Sequence, residues 1–295
     1  MSDDFERMRK QMETGTGFVA ALDQSGGSTP KALREYGVAD EEWTGDEEMY
    51  AEIHQMRTRV IKAPDFTSDK VLGAILFERT MRGEIDGKKT ARVLWEDHGV
   101  VPFLKVDKGM VDEENGTQLM KPIPGLDDLL AEAKAEGVFG TKMRSVIKHA
   151  NEEGIRAIVA QQFEVGKQIA AAGLVPILEP EVDIHSSTKD EAEQMLAAEI
   201  LRHLEQCDDI VMLKLTIPSE PGRYDVLADH PKVLRVVALS GGYEIQDACE
   251  RLSRNPKMIA SFSRALLKGL EKGQSDSAFH AALGKNIDMI YRASA

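Results

Sequence analysis

"VMLKLTIP", residues 211–218, sets a lysine in the middle of a short apolar run that ends at a proline. Side chains alternate between the two faces of a β-strand. One face would therefore carry Val211, Leu213, Leu215 and Ile217, and the other Met212, Lys214 and Thr216. Lysine is rarely fully buried, because apolar neighbours do not replace the hydration that its ammonium loses. The stretch predicts a strand with one face for packing and one face that carries a chemical group.

Seven further apolar runs of strand length lie along the chain. They cover residues 18–23, 73–77, 102–107, 140–144, 174–181, 236–242 and 259–263. Helix-period segments separate most of them; one opens with a Thr188…Glu191 capping box, and another ends at Gly173, a residue suited to a C-cap. Strands that alternate with helices pair in parallel through crossovers. Eight such units predict an α/β fold, a single (β/α)8 TIM barrel that occupies residues 1–295 as one domain.

An open, doubly wound parallel sheet is the alternative that this pattern allows. The nucleotide-binding versions of that sheet carry G-x-G-x-x-G or G-x-x-x-x-G-K-[ST] near the first strand. Neither motif occurs in the chain, which disfavours those versions.

The net charge narrows the classes of possible partner, and the cysteine content indicates the cellular compartment. A formal net charge of −13 and a pI near 5.1 argue against nucleic acid and against anionic membrane surfaces. Residues 1–15 are charged and lack the apolar core of a signal peptide, and no window approaches a membrane span. The two cysteines, Cys207 and Cys249, form no CxxC pair, so we expect a reducing, cytoplasmic location.

Histidine spacing bears on metal chemistry. The seven histidines are scattered and form neither HxH nor HxxxH. Such short pairs are the usual signal for a transition-metal site. The sequence therefore predicts no metal site.

The alternation seen in residues 211–218 places charged side chains inside the barrel on five strands. Four are cationic and four are anionic: Lys105, Lys142, Arg144, Lys214, Asp23, Asp107, Glu179 and Glu181. Each lies toward the C-terminal end of its strand, where barrel enzymes keep their chemistry. A structural ion pair could explain any one of them, but buried ion pairs barely offset their desolvation. Their convergence predicts an active site.

A buried lysine has a specific chemical use. Desolvation and neighbouring cations lower the pKa of a lysine, so that its neutral amine can attack a carbonyl carbon. Lys142 and Lys105 are candidate neighbours of that kind for Lys214. Formation and dehydration of the carbinolamine need a general acid/base, and Glu179 and Glu181 can serve, with one protonatable and the other ionised. We expect Lys214 to form an imine with the substrate.

Three turns rich in glycine or serine follow strands and offer anion sites. The first, residues 23–33, carries Ser25 and Ser28, and its polar residues could reach a second anion across the mouth of the barrel. The turns after strands 7 and 8 are the usual phosphate site of a barrel. Their candidate ligands are Ser240, Gly241, Gly242, Ser263 and Arg264. Turns use glycine and serine routinely, so the ordered pair with its arginine carries the phosphate prediction.

The chain resembles a known enzyme family in several ordered segments. They are ALDQSGGSTPKAL, FLKVDKG, GTKMR, LVPILEPE, VMLKLT, LSGG and SFSRAL. Together these resemble the class I, Schiff-base-forming fructose-bisphosphate aldolases in their compact bacterial form, over about residues 5–292. The resemblance implies a cytoplasmic TIM-barrel lyase of glycolysis and gluconeogenesis that needs no cofactor. Its partner would be a sugar bisphosphate, and the family often assembles into homo-oligomers.

The resemblance also implies roles for the candidate residues. Lys214 would form the imine, and Glu179, supported by Glu181, would exchange protons during the imine steps. Asp23 would take the hydroxyl proton whose loss drives carbon–carbon cleavage, and Lys142 would stabilise charge near the reacting carbons. The dihydroxyacetone-phosphate half would bind Ser240, Gly241, Gly242, Ser263 and Arg264. The other phosphate would lie near Ser25, Ser28, Lys105 and Arg144, with Lys105 also helping to hold the substrate.

Two positions and the C-terminal segment depart from the long animal enzymes of this family. Gln24 and Met143 stand where those enzymes carry glutamate and tryptophan, and the chain ends at "IYRASA" without their tyrosine-ending tail. Tyr291 falls within a predicted helix, so the group that reprotonates the enamine is unassigned. The alternative functions are an aldolase for tagatose bisphosphate or with relaxed stereochemistry, a metal-dependent aldolase and a non-catalytic sugar-phosphate binder.

Overall fold

Eight parallel strands form a nearly closed barrel in the computed structural model, which describes residues 3–294. The strands are β1 (Phe18–Leu22), β2 (Val71–Leu76), β3 (Val101–Lys105), β4 (Gly140–Ile147), β5 (Val175–Val182), β6 (Val211–Thr216), β7 (Val233–Leu239) and β8 (Met258–Ala260). They neighbour one another in chain order, so every connection is a crossover to the adjacent strand. The eight predicted runs and the barrel are confirmed, and the open sheet is excluded.

Helices surround the barrel and link its strands. They are α1 (Asp3–Thr14), α2 (Thr29–Glu35), α3 (Gly45–Ile61), α4 (Glu78–Arg82), α5 (Thr90–Arg92), α6 (Leu126–Ala135), α7 (Glu152–Ala171), α8 (Lys189–Leu204), α9 (Asp225–Ala228), α10 (Ile245–Leu252), α11 (Arg264–Leu267) and α12 (Asp276–Ser294). A π-helical turn, Val93–Asp97, continues α5. Two short hairpin strands, Glu84–Ile85 and Lys88–Lys89, precede it, and Thr117–Gln118 pairs antiparallel with β4.

Strand alternation separates an inner and an outer apolar layer. The inner layer fills the barrel and contains Val19, Ile75, Phe103, Ile177, Met212, Val237 and Ile259. The outer layer lies under the helices and includes Val211, Leu213 and Leu215, as their parity in the sequence predicted. Helix α1 closes the N-terminal end with Met8 and Met12, and Arg235 of β7 donates to three carbonyls at the end of that helix.

The first and last strands meet at a seam that has no backbone ladder within residues 3–294. Strand β8 has only three residues and packs beside β1. Side chains support this region: Ser294 of α12 accepts a hydrogen bond from the amide of Ala260 at 2.9 Å. Across the β1–β8 seam itself, packing and the side-chain hydrogen bond from Gln24 to Ser263 take the place of a ladder.

Local signals at two helix ends had different outcomes. Helix α7 ends before Gly173, which adopts φ +83, so the predicted glycine C-cap is confirmed. The predicted Thr188 capping box is wrong, because Oγ1 of Thr188 accepts instead from the amide of Ala150 in the preceding loop. No helix within residues 3–294 is long and apolar enough to cross a membrane.

Candidate active site

All the residues predicted for the site line one cavity of about 1080 Å³ at the C-terminal end of the barrel. They are Lys214, Glu179, Glu181, Asp23, Lys142, Lys105, Arg144, Ser25, Ser28, Ser240, Gly241, Gly242, Ser263 and Arg264. The cavity is thus built from the ends of β1 and β3–β8 and from the turns that follow them. The structure brings the whole predicted set together, while the role of each member stays a prediction.

Four side chains form a buried cluster at the bottom of this cavity, and we call them the central cluster: Asp23, Lys142, Glu179 and Lys214. Nζ of Lys214 lies 3.1 Å from Oε1 of Glu179, and Nζ of Lys142 lies 2.8 Å from Oε2 of the same carboxylate. Lys142 also lies 2.7 Å from Oδ2 of Asp23. The side chains of Lys142, Glu179 and Lys214 are 3–5% exposed. One carboxylate therefore bridges the two lysines.

Strand register explains why Glu179 meets Lys214. Ile177 of β5 stands opposite Met212 of β6 in the parallel ladder. Two residues further along each strand, on the same inward face, come Glu179 and Lys214. The apolar pair fixes the register by packing in the barrel, so the charged pair is placed one side-chain step above it.

The electrostatic field fixes the charge of two members of the central cluster. Burial disfavours charge on Asp23, but Lys142 and Lys214 together outweigh it and lower the pKa of this carboxyl well below its ordinary value. Burial likewise disfavours charge on Lys142, yet Asp23 and Glu179 together raise its pKa well above the ordinary value. Asp23 is therefore a carboxylate and Lys142 an ammonium at neutral pH.

A second set of ion pairs lies around the rim of the cavity. Lys105 contacts Asp107 at 2.6 Å, and Asp107 also accepts the backbone amide of Arg144 at 3.2 Å. Nε of Arg144 donates to Oε2 of Glu181 at 2.5 Å. Burial opposes the charge of Arg144, but Glu181 raises its pKa above the ordinary value. Glu181 is thus committed to Arg144, and its predicted support of Glu179 has no direct contact behind it within the described residues.

The turns after β7 and β8 bring an arginine against glycine backbone. Gly241 and Gly242 have φ of +61 and +133, a region in which other residues are strained. A Cβ on Gly241 would come within 2.6 Å of Ile184, and one on Gly242 would lie 3.5 Å from Nη2 of Arg264. Arg264 forms no ion pair with a carboxylate in the part of the chain described. An unpaired guanidinium beside the backbone of a glycine turn suits a phosphate.

The turn after β1 is braced by one of its own predicted ligands. The Oγ of Ser28 donates to the carbonyl of Ser25 and accepts from the amide of Ser25, both at 2.9 Å. Lys31, in the first turn of α2, lines the same cavity and was missed in the sequence, although its place just after this turn is a usable signal. Gln24 also lines the cavity and reaches across the β1–β8 seam.

Two further features bear on the sequence predictions. Tyr291 packs in the outer apolar layer and does not line the cavity. Among residues 3–294, no group of three or more histidine, cysteine, aspartate or glutamate side chains is placed to hold a metal ion. The lining of the cavity includes no histidine.

Comparison with known proteins gives one family. The family model described as class-I fructose-bisphosphate aldolase, a glycolytic family, matches residues 5–214. The class 1 fructose-bisphosphate aldolase of Synechocystis is 57% identical over 287 residues, covering 97% of this chain and 96% of that protein. The enzyme of the same name from Porphyromonas gingivalis is 58% identical over 285 residues, with 97% of each chain covered.

Solved structures support the fold. A fructose-bisphosphate aldolase from Plasmodium falciparum, in complex with TRAP and a small-molecule inhibitor, superposes with a TM-score of 0.78 at 18% identity, covering 99% of this chain and 94% of that one. An archaeal fructose 1,6-bisphosphate aldolase superposes with a TM-score of 0.53 at 14% identity, covering 98% of each chain. Given the extent and identity of the sequence matches, the chain belongs to the class I fructose-bisphosphate aldolase family.

Proposed function

We propose that the chain is a lyase that reversibly cleaves fructose 1,6-bisphosphate to dihydroxyacetone phosphate and glyceraldehyde 3-phosphate through a Schiff base on Lys214. One observation carries the proposal: a buried lysine amine lies 3.1 Å from a carboxylate in a cavity that also holds the unpaired Arg264. The resemblance in sequence to relatives of that name supports the same reaction. The lysine, the carboxylate and the arginine all line one cavity, which supports the proposal.

The imine forms first. The neutral amine of Lys214 attacks the C2 carbonyl, and Glu179 exchanges the protons that turn the carbinolamine into an imine and water. Glu179 suits this role because it already contacts the amine and is 4% exposed. Lys142 keeps its charge beside the same carboxylate and offsets negative charge near the reacting carbons.

Carbon–carbon cleavage follows from the imine. Asp23, which its neighbours hold ionised, accepts the proton of the C4 hydroxyl while the C3–C4 bond breaks. The bonding electrons pass into the protonated imine, which becomes an enamine, and the aldehyde product leaves. A proton added at C3 of the enamine restores the imine, and water then hydrolyses this imine to release dihydroxyacetone phosphate and return Lys214 to its amine form.

The two ends of the cavity bind the two phosphates. Ser240, Gly241, Gly242, Ser263 and Arg264 hold the phosphate of the dihydroxyacetone-phosphate half. Ser25, Ser28, Lys105 and Arg144 lie toward the other phosphate, and Glu181 orients Arg144 through their ion pair. We further propose that residues 1–295 act as one cytoplasmic domain, without nucleic-acid, membrane or cofactor partners. Self-association is left to measurement.

Borohydride trapping tests the proposal directly. Incubation with fructose 1,6-bisphosphate and sodium borohydride should inactivate the enzyme irreversibly and add the reduced sugar phosphate to the peptide that contains Lys214. Cleavage should proceed unchanged in EDTA, and turnover of tagatose 1,6-bisphosphate in the same assay measures the epimer preference. Labelling of another lysine, or cleavage that borohydride leaves untouched, contradicts the imine at this position.

A further inference from the structure

A fully buried arginine lies behind the cavity wall without a carboxylate partner. Arg57 of α3 is 0% exposed, and it forms no ion pair within the described residues. Burial lowers its pKa to about 10, although Asp23 partly restores the charge, so the side chain is cationic at neutral pH. An unpaired buried cation is costly. The partners of its hydrogen bonds should therefore indicate why a charge is kept at this position.

Two of its hydrogen bonds run to the turn after β1, and a third runs to α4. Nη1 of Arg57 donates to Oγ1 of Thr80 at 2.6 Å. Nη2 donates to the backbone carbonyl of Gln24 at 2.6 Å and to its side-chain Oε1 at 3.1 Å. A guanidinium can only donate, so the amide of Gln24 must turn its oxygen toward Arg57 and its nitrogen away.

The nitrogen of that amide crosses the β1–β8 seam. Nε2 of Gln24 donates to Oγ of Ser263 at 2.5 Å. This bond occupies a lone pair of the serine oxygen, which leaves the serine hydroxyl proton free to point into the cavity that Ser263 lines. Nη2 of Arg57 and Nε2 of Gln24 thus donate in series toward Ser263 at the proposed anion site.

We infer that Arg57 and Gln24 are positioning residues that make Ser263 a hydrogen-bond donor to the substrate phosphate. Without the guanidinium, the Gln24 amide could rotate and accept from Ser263, and the hydroxyl would be lost to the phosphate. The direction of the relay therefore sets phosphate affinity without any contact between Arg57 and the ligand. The inference rests on the phosphate site proposed above.

Binding of inorganic phosphate tests the relay without requiring turnover. Arg57→Met should raise the phosphate dissociation constant, measured by calorimetry, by about tenfold, which corresponds to about 1.4 kcal/mol. Arg57→Lys, which keeps a charge and a donor, should recover part of the affinity. In a steady-state assay Arg57→Met should raise KM more than it lowers kcat. Borohydride labelling of Lys214 should persist at saturating substrate.

A double-mutant cycle separates the relay from general damage to the wall. In a Ser263→Ala chain, Arg57→Met should change phosphate affinity little, because the hydroxyl that it orients is gone. An equal loss in both backgrounds overturns the inference. If no imine forms in the wild type but the coupling is seen, the proposed reaction fails while the relay stands.

Gln24→Glu gives a second route if Arg57 variants do not fold, since Gln24 is only half-buried. A carboxylate at this position cannot donate to Ser263, so phosphate should bind at least about tenfold more weakly. Gln206→Glu adds the same charge at an exposed position outside the cavity and should leave binding unchanged. The part of the loss in phosphate affinity that disappears in the Ser263→Ala background is due to the lost donor to Ser263. The part that remains is due to the added negative charge. No coupling with Ser263 in this cycle also overturns the inference.

Discussion

The inside of the barrel has two layers that obey opposite rules. The lower layer is the inner apolar layer of the barrel; it is buried, and on β5 and β6 it contains Ile177 and Met212. The upper layer is the central cluster, in which Glu179 and Lys214 stand one side-chain step above those two residues. On the same two strands, apolar side chains that bury easily are therefore followed, one side-chain step further on, by charged side chains that are costly to bury.

The two layers differ in role: the apolar layer stabilises the fold, and the central cluster supplies the proposed chemistry. Burying apolar surface stabilises by about 25 cal/mol per Å², so the lower layer contributes directly to the free energy of folding. Buried ion pairs often do no better than apolar residues of the same volume. The central cluster is therefore best understood as chemistry that the lower layer holds in register, and variants of the two layers should fail in different ways.

Lys214→Met should give the largest effect and should fall on activity alone. Methionine fills a similar volume, and Glu179 keeps its ion pair with Lys142, so the free energy of unfolding should stay the same or rise. Without the nucleophile, kcat/KM should fall by at least about 10³-fold, and borohydride labelling should vanish. Steady-state kinetics and urea unfolding measure both. Substantial residual cleavage would remove Lys214 from the mechanism.

Glu179→Gln should come next, with a loss of kcat of about 10²- to 10⁴-fold, the usual range for a general acid/base. Borohydride labelling should become slow but should still occur at Lys214. Glu193→Gln is the matched control, because Glu193 is also fully buried and paired with a lysine, Lys189, but lies outside the cavity. That control should destabilise the protein and leave kcat near the wild-type value. Similar kcat losses in both variants would mean that burial, not proton transfer, explains the effect.

Phe103→Ala reverses the pattern in the lower layer. Phe103 is fully buried between the inner strands and packs edge-to-face on Phe139. Its truncation should cost about 3–5 kcal/mol of unfolding free energy, while the remaining folded protein should keep its kcat. Urea unfolding and kinetics at low temperature measure the two quantities. A large loss of kcat without a loss of stability would refute the division into layers.

Sequence pattern predicts much of this arrangement, because parity and register are local properties. Alternation along residues 210–217 placed Lys214 inside, and the ladder between Ile177 and Met212 then placed Glu179 beside it. The particular partners could not be predicted. That Lys142 bridges Asp23 and Glu179 depends on distances across the barrel between strands that are not neighbours.

The failures of prediction share this dependence on distant segments. The hydroxyl of Thr188 was expected to cap α8, but the loop that contains Ala150 competes for it. Arg57 lies on a helix whose other charged residues are exposed or half-buried, so nothing in the local pattern distinguishes the one that is buried. Only the fold shows that Thr80 and Gln24 surround it.

Asp23→Asn should have a smaller effect on stability, and this effect should depend on pH. The neighbouring lysines lower the pKa of Asp23 in the folded state, so the ionised carboxylate stabilises the fold above its ordinary unfolded value of about 3.9. The contribution is lost as pH falls from there through the lowered folded value. At pH 7 the variant should lose about 1–3 kcal/mol, since Lys142 keeps Glu179. The gap to the wild type should narrow in acid, and urea unfolding from pH 7 to pH 3 would detect a gap that instead widens.

Arg144→Met should change stability least, because Arg144 lies at the rim of the cavity, outside both the lower apolar layer and the central cluster. The Arg144 side chain is 38% exposed and its partner Glu181 is 14% exposed, so water screens the pair and its loss should cost less than about 1 kcal/mol. If Arg144 faces a substrate phosphate, KM should rise about ten- to a hundredfold, the range for a charged hydrogen bond. Arg254→Met, which removes an exposed ion pair with Glu250 on the outer surface, should match it in stability and leave KM unchanged. If Arg144→Met lowered the free energy of unfolding strongly but left KM unchanged, Arg144 would be a structural residue. The part of the barrel that stabilises the fold would then extend to the rim of the cavity.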